Sequence, residues 1–203
     1  KLYSGIRDWN LKQDFNYYLT PQHTLKFGIN NTYHVFSPSN FDATLDTIDI
    51  STNNIRYYAY EGAVYINDEF NLNEKILINS GVRLSTFTHF GPFDRYVKDG
   101  SGNIGSLSTD TTITYDKWDP IKSYYGFEPR ISSRFLINEV SSFKIGFNQN
   151  YQYIHLTSLS SSSLPTDVWI PSSSIIKPLI GRQFSIGYYR NFNNNTYEMS
   201  LEG

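Results

Sequence analysis

Residues Tyr125 to Tyr153 read YGFEPRISSRFLINEVSSFKIGFNQNYQY, and this stretch decides the fold. Taken in steps of two, Tyr125, Phe127, Pro129, Ile131, Ser133 and Phe135 share one face. Gly126, Glu128, Arg130, Ser132 and Arg134 share the other. After the polar connection Asn138-Glu139-Val140-Ser141, the alternation resumes. Phe143, Ile145, Phe147, Gln149, Tyr151 and Tyr153 now oppose Lys144, Gly146, Asn148, Asn150 and Gln152. A period of two is the signature of a β-strand, whose successive side chains point to opposite faces. Each run is about ten residues or longer, whereas strands of soluble domains usually have about five or six. Strands of roughly 9–11 residues with one apolar and one polar face cross a bilayer when tilted. The charged face cannot be a protein core, so it looks into a wet lumen.

The same rhythm runs through the whole chain. The first strand spans roughly 6–19 and turns at Thr20-Pro21-Gln22-His23, where proline starts a turn and needs no ladder donor. The second strand runs from about Leu25 to Val35, the third from about Tyr58 to Phe70 and the fourth from about Ile76 to Leu84. The seventh and eighth are centred on Phe184-Ile186-Tyr188 and Tyr197-Met199-Leu201, joined through the asparagines at 191–195. Short turns alternate with long connections over 37–54, 91–123 and 155–177. The Asp99-Gly100 pair marks a hairpin tip within the second of these. A soluble β-sandwich has no reason to keep its long loops at one end, while outer-membrane barrels do so as a rule. Aromatics at strand ends read as interfacial girdles: Phe15, Tyr17 and Tyr18 by the short turns, and Tyr33, Phe36, Phe90, Tyr151 and Tyr153 by the long loops.

Composition agrees with an all-β, antiparallel, up-and-down transmembrane barrel. Seventeen tyrosines and fourteen phenylalanines stand against one methionine. Mean hydropathy is nevertheless −0.43, as strands with a single apolar face require. No run approaches the roughly 18 apolar residues of a membrane-spanning helix. The net charge of −2 gives no basic surplus for nucleic acid, and the absence of cysteine excludes disulfides and thiolate metal sites. The chain opens without a signal segment and closes in mid-strand, so it reads as part of a longer polypeptide.

Several segments then carry a resemblance. EPRIS (Glu128–Ser132), YQYIHL (Tyr151–Leu156), LPTDVWIPSSSIIKP (Leu164–Pro178), GYYRNF (Gly187–Phe192) and YEMSLEG (Tyr197–Gly203) resemble the barrel of a TonB-dependent outer-membrane receptor. YINDEF (Tyr65–Phe70) and HTLKFG (His23–Gly28) are similar to earlier strands of such barrels. The resemblance is closest to the subgroup with an N-terminal carboxypeptidase-regulatory-like domain. It implies a barrel of about 22 strands around a plug, of which residues 1–203 supply a partial arc of about eight. The plug, the N-terminal domain and the C-terminal strand lie outside this chain on that reading. Implied with it are outer-membrane lipid around the barrel and coupling to a TonB–ExbB–ExbD complex through the plug. A surface lipoprotein lid is left open. The implied function is import of a scarce, bulky nutrient such as a ferric siderophore, cobalamin, glycan or peptide. The rival is a complete eight-stranded barrel serving as an adhesin or anchor.

No enzyme, cofactor or metal centre is expected. Four histidines occur, at 23, 34, 89 and 155; His155 near the serine run 158–163 lacks a nucleophile elbow. Asp42, Asp46 and Asp49, or Asp110, Asp116 and Asp119, lack the spacing of a calcium loop. Lumen-side charges must be hydrated or paired. Glu128, Arg130, Arg134 and Lys144 are accordingly assigned to the wall that grips a plug. Loop aromatics and arginines are the candidates for substrate contact: Arg95, Tyr96, Trp118, Tyr124 and Trp169.

Overall fold

The computed structural model describes residues 2–45, 48–51, 56–97, 111–157 and 168–203. Thirteen strands follow in order: β1 (Leu2–Tyr18), β2 (His23–Leu45), β3 (Ile48–Ser51), β4 (Tyr57–Asn73), β5 (Ile76–Phe90), β6 (Phe93–Val97), β7 (Thr111–Tyr115), β8 (Pro120–Asn138), β9 (Ser141–Gln152), β10 (Ile154–Thr157), β11 (Val168–Pro171), β12 (Leu179–Phe192) and β13 (Tyr197–Glu202). Among the described residues there is no helix long and apolar enough to cross a membrane.

Eight of these strands form the wall. They hydrogen-bond in the order β1-β2-β4-β5-β8-β9-β12-β13, each antiparallel to the next in the chain, as an up-and-down meander requires. The three long connections therefore leave from one end and the four short turns lie at the other. Each short turn has a polar side chain that satisfies the backbone locally. Thr20 Oγ1 accepts from His23 N (3.1 Å), Asn73 Oδ1 from Lys75 N and Ile76 N (2.9 Å each), and Asn138 Oδ1 from Val140 N (3.1 Å). The β12–β13 turn places Asn193, Asn194 and Asn195 at φ of 50°, 52° and 67°. Asparagine tolerates that left-handed region better than most residues, which accounts for three in succession. β1 and β13 do not pair with each other among the described residues, so the sheet is an open arc.

The long connections contain more order than the sequence suggests. β2 continues to Leu45 and pairs with β3, so much of 37–54 is a ladder extending the wall. β6 pairs with β7 from Phe93↔Tyr115 to Val97↔Thr111, while the expected tip at Asp99–Asn103 lies outside the described residues. β8 already begins at Pro120, and β10 and β11 form a short hairpin that carries the serine run 158–163 outside the described residues.

Three girdle assignments, Phe36, Tyr151 and Tyr153, are corrected. Phe36 is fully buried and Tyr153 is 3% exposed, both in a cluster with Ala59 and Phe87 on the concave face. Phe36 belongs to the even-numbered, lumen-side row of β2, so alternation itself puts it inside. Tyr153 turns inward for another reason. The β8–β9 ladder stops at Arg130↔Asn148, while β9 stays paired to β12 as far as Gln152↔Leu179. Gln149 Nε2 donates to the Phe127 carbonyl (2.8 Å) just beyond the last ladder pair. Freed from β8, the end of β9 swings over it, and Tyr151 and Tyr153 both come to lie above Gly126.

Candidate functional site

The concave face carries the site. Its lower half is a polar trough of about 520 Å³ lined by Lys26, Asn67, Asn79, Arg130, Ser132 and Asn148 among others. All six belong to the row that alternation assigns to the lumen. Lys26 pairs with Glu69 (3.0 Å), and Asn148 donates to Gln183 (3.2 Å), so side chains of neighbouring strands satisfy one another across the floor. The convex face is apolar by contrast. Leu11, Phe15, Ile66, Leu84, Phe127, Ile131 and Phe184 are all exposed there.

Above the trough runs a ribbon of charges stepping from strand to strand. Asp8 Oδ1 lies 2.8 Å from His34 Nδ1, and His34 Nε2 lies 3.9 Å from Glu61. Glu61 is 3.6 Å from Arg83, and Arg83 is 3.7 Å from Glu128. Ser85 Oγ donates to Glu128 (2.5 Å) and is 2.8 Å from the Tyr153 hydroxyl. Five strands and the foot of the β10–β11 hairpin are thereby tied together. His34, Ser85 and Glu128 are each at most 5% exposed, so the ribbon is largely dry. One cation flanked by two carboxylates is what makes such burial tolerable. Glu128 lies on the concave face, and nothing in the sequence signals that its partner is Arg83, one strand away.

Over the ribbon lies the β10–β11 hairpin. It leaves the wall at Tyr153 and packs across to β1 and β2 at the far side of the arc. Its foot is pinned from three directions. Ser172 N donates to the Tyr153 carbonyl (2.8 Å), the Tyr124 hydroxyl donates to the Ser173 carbonyl (2.5 Å), and His155 Nε2 is 3.0 Å from Ser172 Oγ. Ile154 and Ile6 pack against the Phe36–Phe87–Tyr153 cluster from either side. The hairpin is a strap across the lumen at the long-loop end.

His155 beside the Ser172 hydroxyl has the make-up of half a hydrolytic triad. Ser172 is completely buried, with no face open to a substrate. Burial also holds His155 below its ordinary value of 6.5, favouring the neutral ring that a hydroxyl partner suits. The pair is a fastener for the strap. Among the described residues no cluster of three or more metal-ligating side chains occurs, and the expected aspartate runs fall partly outside those residues.

The substrate-contact candidates separate. Tyr124 stands on the lumen side beneath the strap, with Lys122 Nζ 5.5 Å from its ring. Trp169 lies on β11 itself, opposite Leu156 and partly exposed. Arg95 is exposed on β6, opposite Ile113, and Tyr96 follows it on the same strand. Trp118 is elsewhere. Its ring is 5.4 Å from Tyr33 and 6.1 Å from Phe90, both outward-facing, so it joins the aromatic row of the convex side. Of the wall charges, Arg130 lines the trough, and Arg134 sits near the short turns directly across the ladder from Lys144. Lys144 Nζ lies 4.1 Å over the Tyr189 ring.

This arc matches part of solved transporter barrels. The FrpB iron transporter from Neisseria meningitidis (F3-3 variant) aligns over 97% of this chain and 28% of its own, with a TM-score of 0.59 and 15% identity. The closed form of the ferric-catecholate import receptor Fiu from E. coli K12 aligns over 97% and 30%, with a TM-score of 0.55 and 14% identity. The copper transporter OprC aligns over 93% and 28%, with a TM-score of 0.58 and 10% identity. The chain thus spans less than a third of the length of these proteins. No protein-family profile and no curated protein sequence matches it. The likeness is one of fold: the wall is laid out like part of these transporter barrels.

Proposed function

We propose that this chain is part of the wall of a TonB-dependent outer-membrane receptor that imports a scarce, bulky nutrient. The observation that carries the reading is the open arc itself. Eight long meander strands have an apolar convex face and a polar concave face with a trough and a strap, and the first and last strands do not pair. An eight-stranded anchor would close on itself and fill its interior with side chains. An arc with unpaired edges needs further strands to complete it.

On this reading the rest of the polypeptide supplies a plug, and Arg130, Arg134 and Lys144 present cations to it from the wall. The plug couples to TonB–ExbB–ExbD. Tyr124, Trp169, Arg95 and Tyr96 sit at the long-loop end, where cargo first arrives, and a lipoprotein lid would dock there. FrpB, Fiu and OprC are named for iron, ferric catecholate and copper; the fold supports nutrient import here without choosing among cargoes.

The test uses the complete polypeptide in cells that depend on it for growth on a limiting nutrient. Uptake should require both the barrel and an intact energy-coupling complex. Uptake that persists after loss of that complex would reduce the protein to a passive pore. A folded barrel with no uptake of any nutrient would favour the anchor.

A further inference from the structure

The ribbon holds a histidine that its neighbours leave half used. His34 is 4% exposed, and its Nδ1 lies 2.8 Å from Asp8 Oδ1. Asp8 stands directly across the β1–β2 ladder, so this bond fixes both the orientation of the ring and its tautomer. Nδ1–H donates to the carboxylate, and Nε2 keeps its lone pair. That second nitrogen is buried and has no hydrogen-bond partner among the described residues. Across from it is Glu61, whose Oε2 lies 3.9 Å away.

The width of this gap separates two readings. In a doubly protonated ring Nε2–H would donate to Glu61, and such charge-assisted bonds are about 2.7–2.9 Å long. At 3.9 Å the gap is too wide for that bond. It suits an ion instead. A zinc-type metal lies about 2.0–2.1 Å from an imidazole nitrogen and about 2.0–2.2 Å from a carboxylate oxygen, so the two bonds together reach up to about 4.2 Å. A small inward shift of either side chain bends the angle at the metal toward tetrahedral.

Charge gives an independent reason. Asp8, Glu61 and Glu128 bring three carboxylates to the ribbon, against the single guanidinium of Arg83. With His34 neutral, two negative charges are left without a counter-charge on a strip whose His34 and Glu128 are nearly closed to water. Uncompensated buried charge is costly, and one divalent cation removes the excess. The rings of Phe36 and Phe87 lie 5.8 and 6.5 Å from the imidazole and form an apolar flank. A carboxylate behind the histidine and an apolar shell beside it are what orient and tune metal-binding imidazoles. No spacing in the sequence can show the arrangement, because Asp8, His34 and Glu61 stand on three different strands.

We propose that His34 Nε2 and Glu61 bind one divalent transition-metal ion of the zinc type, with Asp8 as the positioning residue behind the imidazole. Solvent fills the remaining positions. Mixed nitrogen and oxygen donors favour zinc, copper or nickel over magnesium and calcium, which take oxygen ligands. The ion ties β2 to β4 beneath the strap. The site depends on the ribbon's geometry alone and not on import.

The test uses the complete polypeptide in detergent, stripped with EDTA and titrated calorimetrically with Zn²⁺ alone. His34→Gln should lose one equivalent of zinc relative to wild type. Asp8→Asn should keep that equivalent with affinity roughly 10–100-fold lower, as loss of a carboxylate behind a metal-bound histidine does. His23→Gln, which breaks a separate histidine–carboxylate pair, should leave it unchanged. Glu61→Gln should also weaken it and carries the test if His34→Gln fails to assemble, which heat-modifiable mobility reports. Equal zinc binding by wild type, His34→Gln and Glu61→Gln would overturn the proposal. So would binding at millimolar zinc only, or equal binding of Mg²⁺, which would mean carboxylates without the imidazole. A zinc-binding barrel that imports nothing would sink the import reading and leave this site standing.

Discussion

The Tyr153 ring lies flat on Phe87, with centroids 5.1 Å apart and planes 5° from parallel. Tyr153 is the last residue before the strap and Phe87 belongs to the wall, so this stack is the hinge plate joining the two. Stacked aromatic pairs contribute about 0.5–1.5 kcal/mol beyond their burial. Tyr153→Phe keeps the stack and removes only the bond to Ser85, so it should cost about 1 kcal/mol. Phe87→Ala should cost about 3–5 kcal/mol and raise hydrogen exchange across 154–157 and 168–171. Equal, small effects from both would mean that the strap is held by its backbone contacts alone.

Gly126 has no room for a side chain. A Cβ there would meet Ser85 Oγ, with the Tyr153 hydroxyl at 2.6 Å and Tyr151 Cδ2 at 2.9 Å. Gly126→Ala should therefore displace the strap's foot at a cost of about 1–3 kcal/mol, chiefly as overpacking. Crosslinking between the strap and β2 should weaken while the wall stays assembled. Unchanged crosslinking would show that the foot can shift to make space.

Arg83 is the single arginine between Glu61 and Glu128. Its loss strands two half-dry carboxylates facing each other. Arg83→Ala should destabilise the barrel by about 2 kcal/mol, whereas Glu128→Gln, which still accepts from Ser85, should cost about half as much or less. Urea unfolding in lipid vesicles measures the difference. The reverse ranking would mean that the carboxylate, and not the cation, organises the ribbon.

Ile145 is exposed on the convex face, and Asn148 lines the trough on the other. Ile145→Arg should cost roughly 2–4 kcal/mol near the bilayer midplane. Asn148→Lys should assemble almost normally and, if the proposed import function holds, disturb uptake instead. Heat-modifiable mobility and nutrient uptake, read side by side, separate the two. Equal assembly defects would indicate a packed interior in place of a wide lumen.

His155 gives the strap a pH dependence. Its folded value lies below the ordinary 6.5 because burial disfavours the charged ring. The unfolded strap therefore takes up a proton first, and the stabilisation present above pH 6.5 is lost as the pH falls through the folded value. Exchange at 154–157 and 168–173 should quicken on acidification, and His155→Gln should remove the pH dependence. A variant that quickens in parallel with wild type would show that His155 is not the group responsible.

The wall was legible in the sequence because a strand's period of two exposes its faces directly. Ile131 against Arg130, and Ile145 against Gly146, needed nothing more. The order of pairing followed from short turns that must join neighbours. Alternation failed where a strand lost its partner: Tyr151 and Tyr153 keep the parity of Ile145 yet lie over Gly126, since β9 has left β8 below them. Trp118 was misleading for a related reason. A residue at φ 76° in a tight turn has no face that spacing can assign. The ribbon was invisible because its members, Asp8, His34, Glu61, Arg83 and Glu128, come from five separate strands: Asp8 stands directly across from His34 and Arg83 from Glu128, while Glu61 meets His34 and Arg83 diagonally. A signal existed in part. Glu61 stands between Ala59 and Ala63 and Arg83 between Gly81 and Ser85 on the lumen row, in company with Phe36 and Phe87, which no wet surface would choose.

The early end of the β8–β9 ladder also sets an order of events. Below Arg130↔Asn148 the two strands can zip upward from their own short turn, using contacts close in sequence. The strap cannot seat until β2, β4 and β5 are in place, because Phe36, Ala59 and Phe87 come from those strands. The strap therefore seats only after those three strands are in place, and a chain arrested before that step would hold an arc whose long-loop end is uncovered.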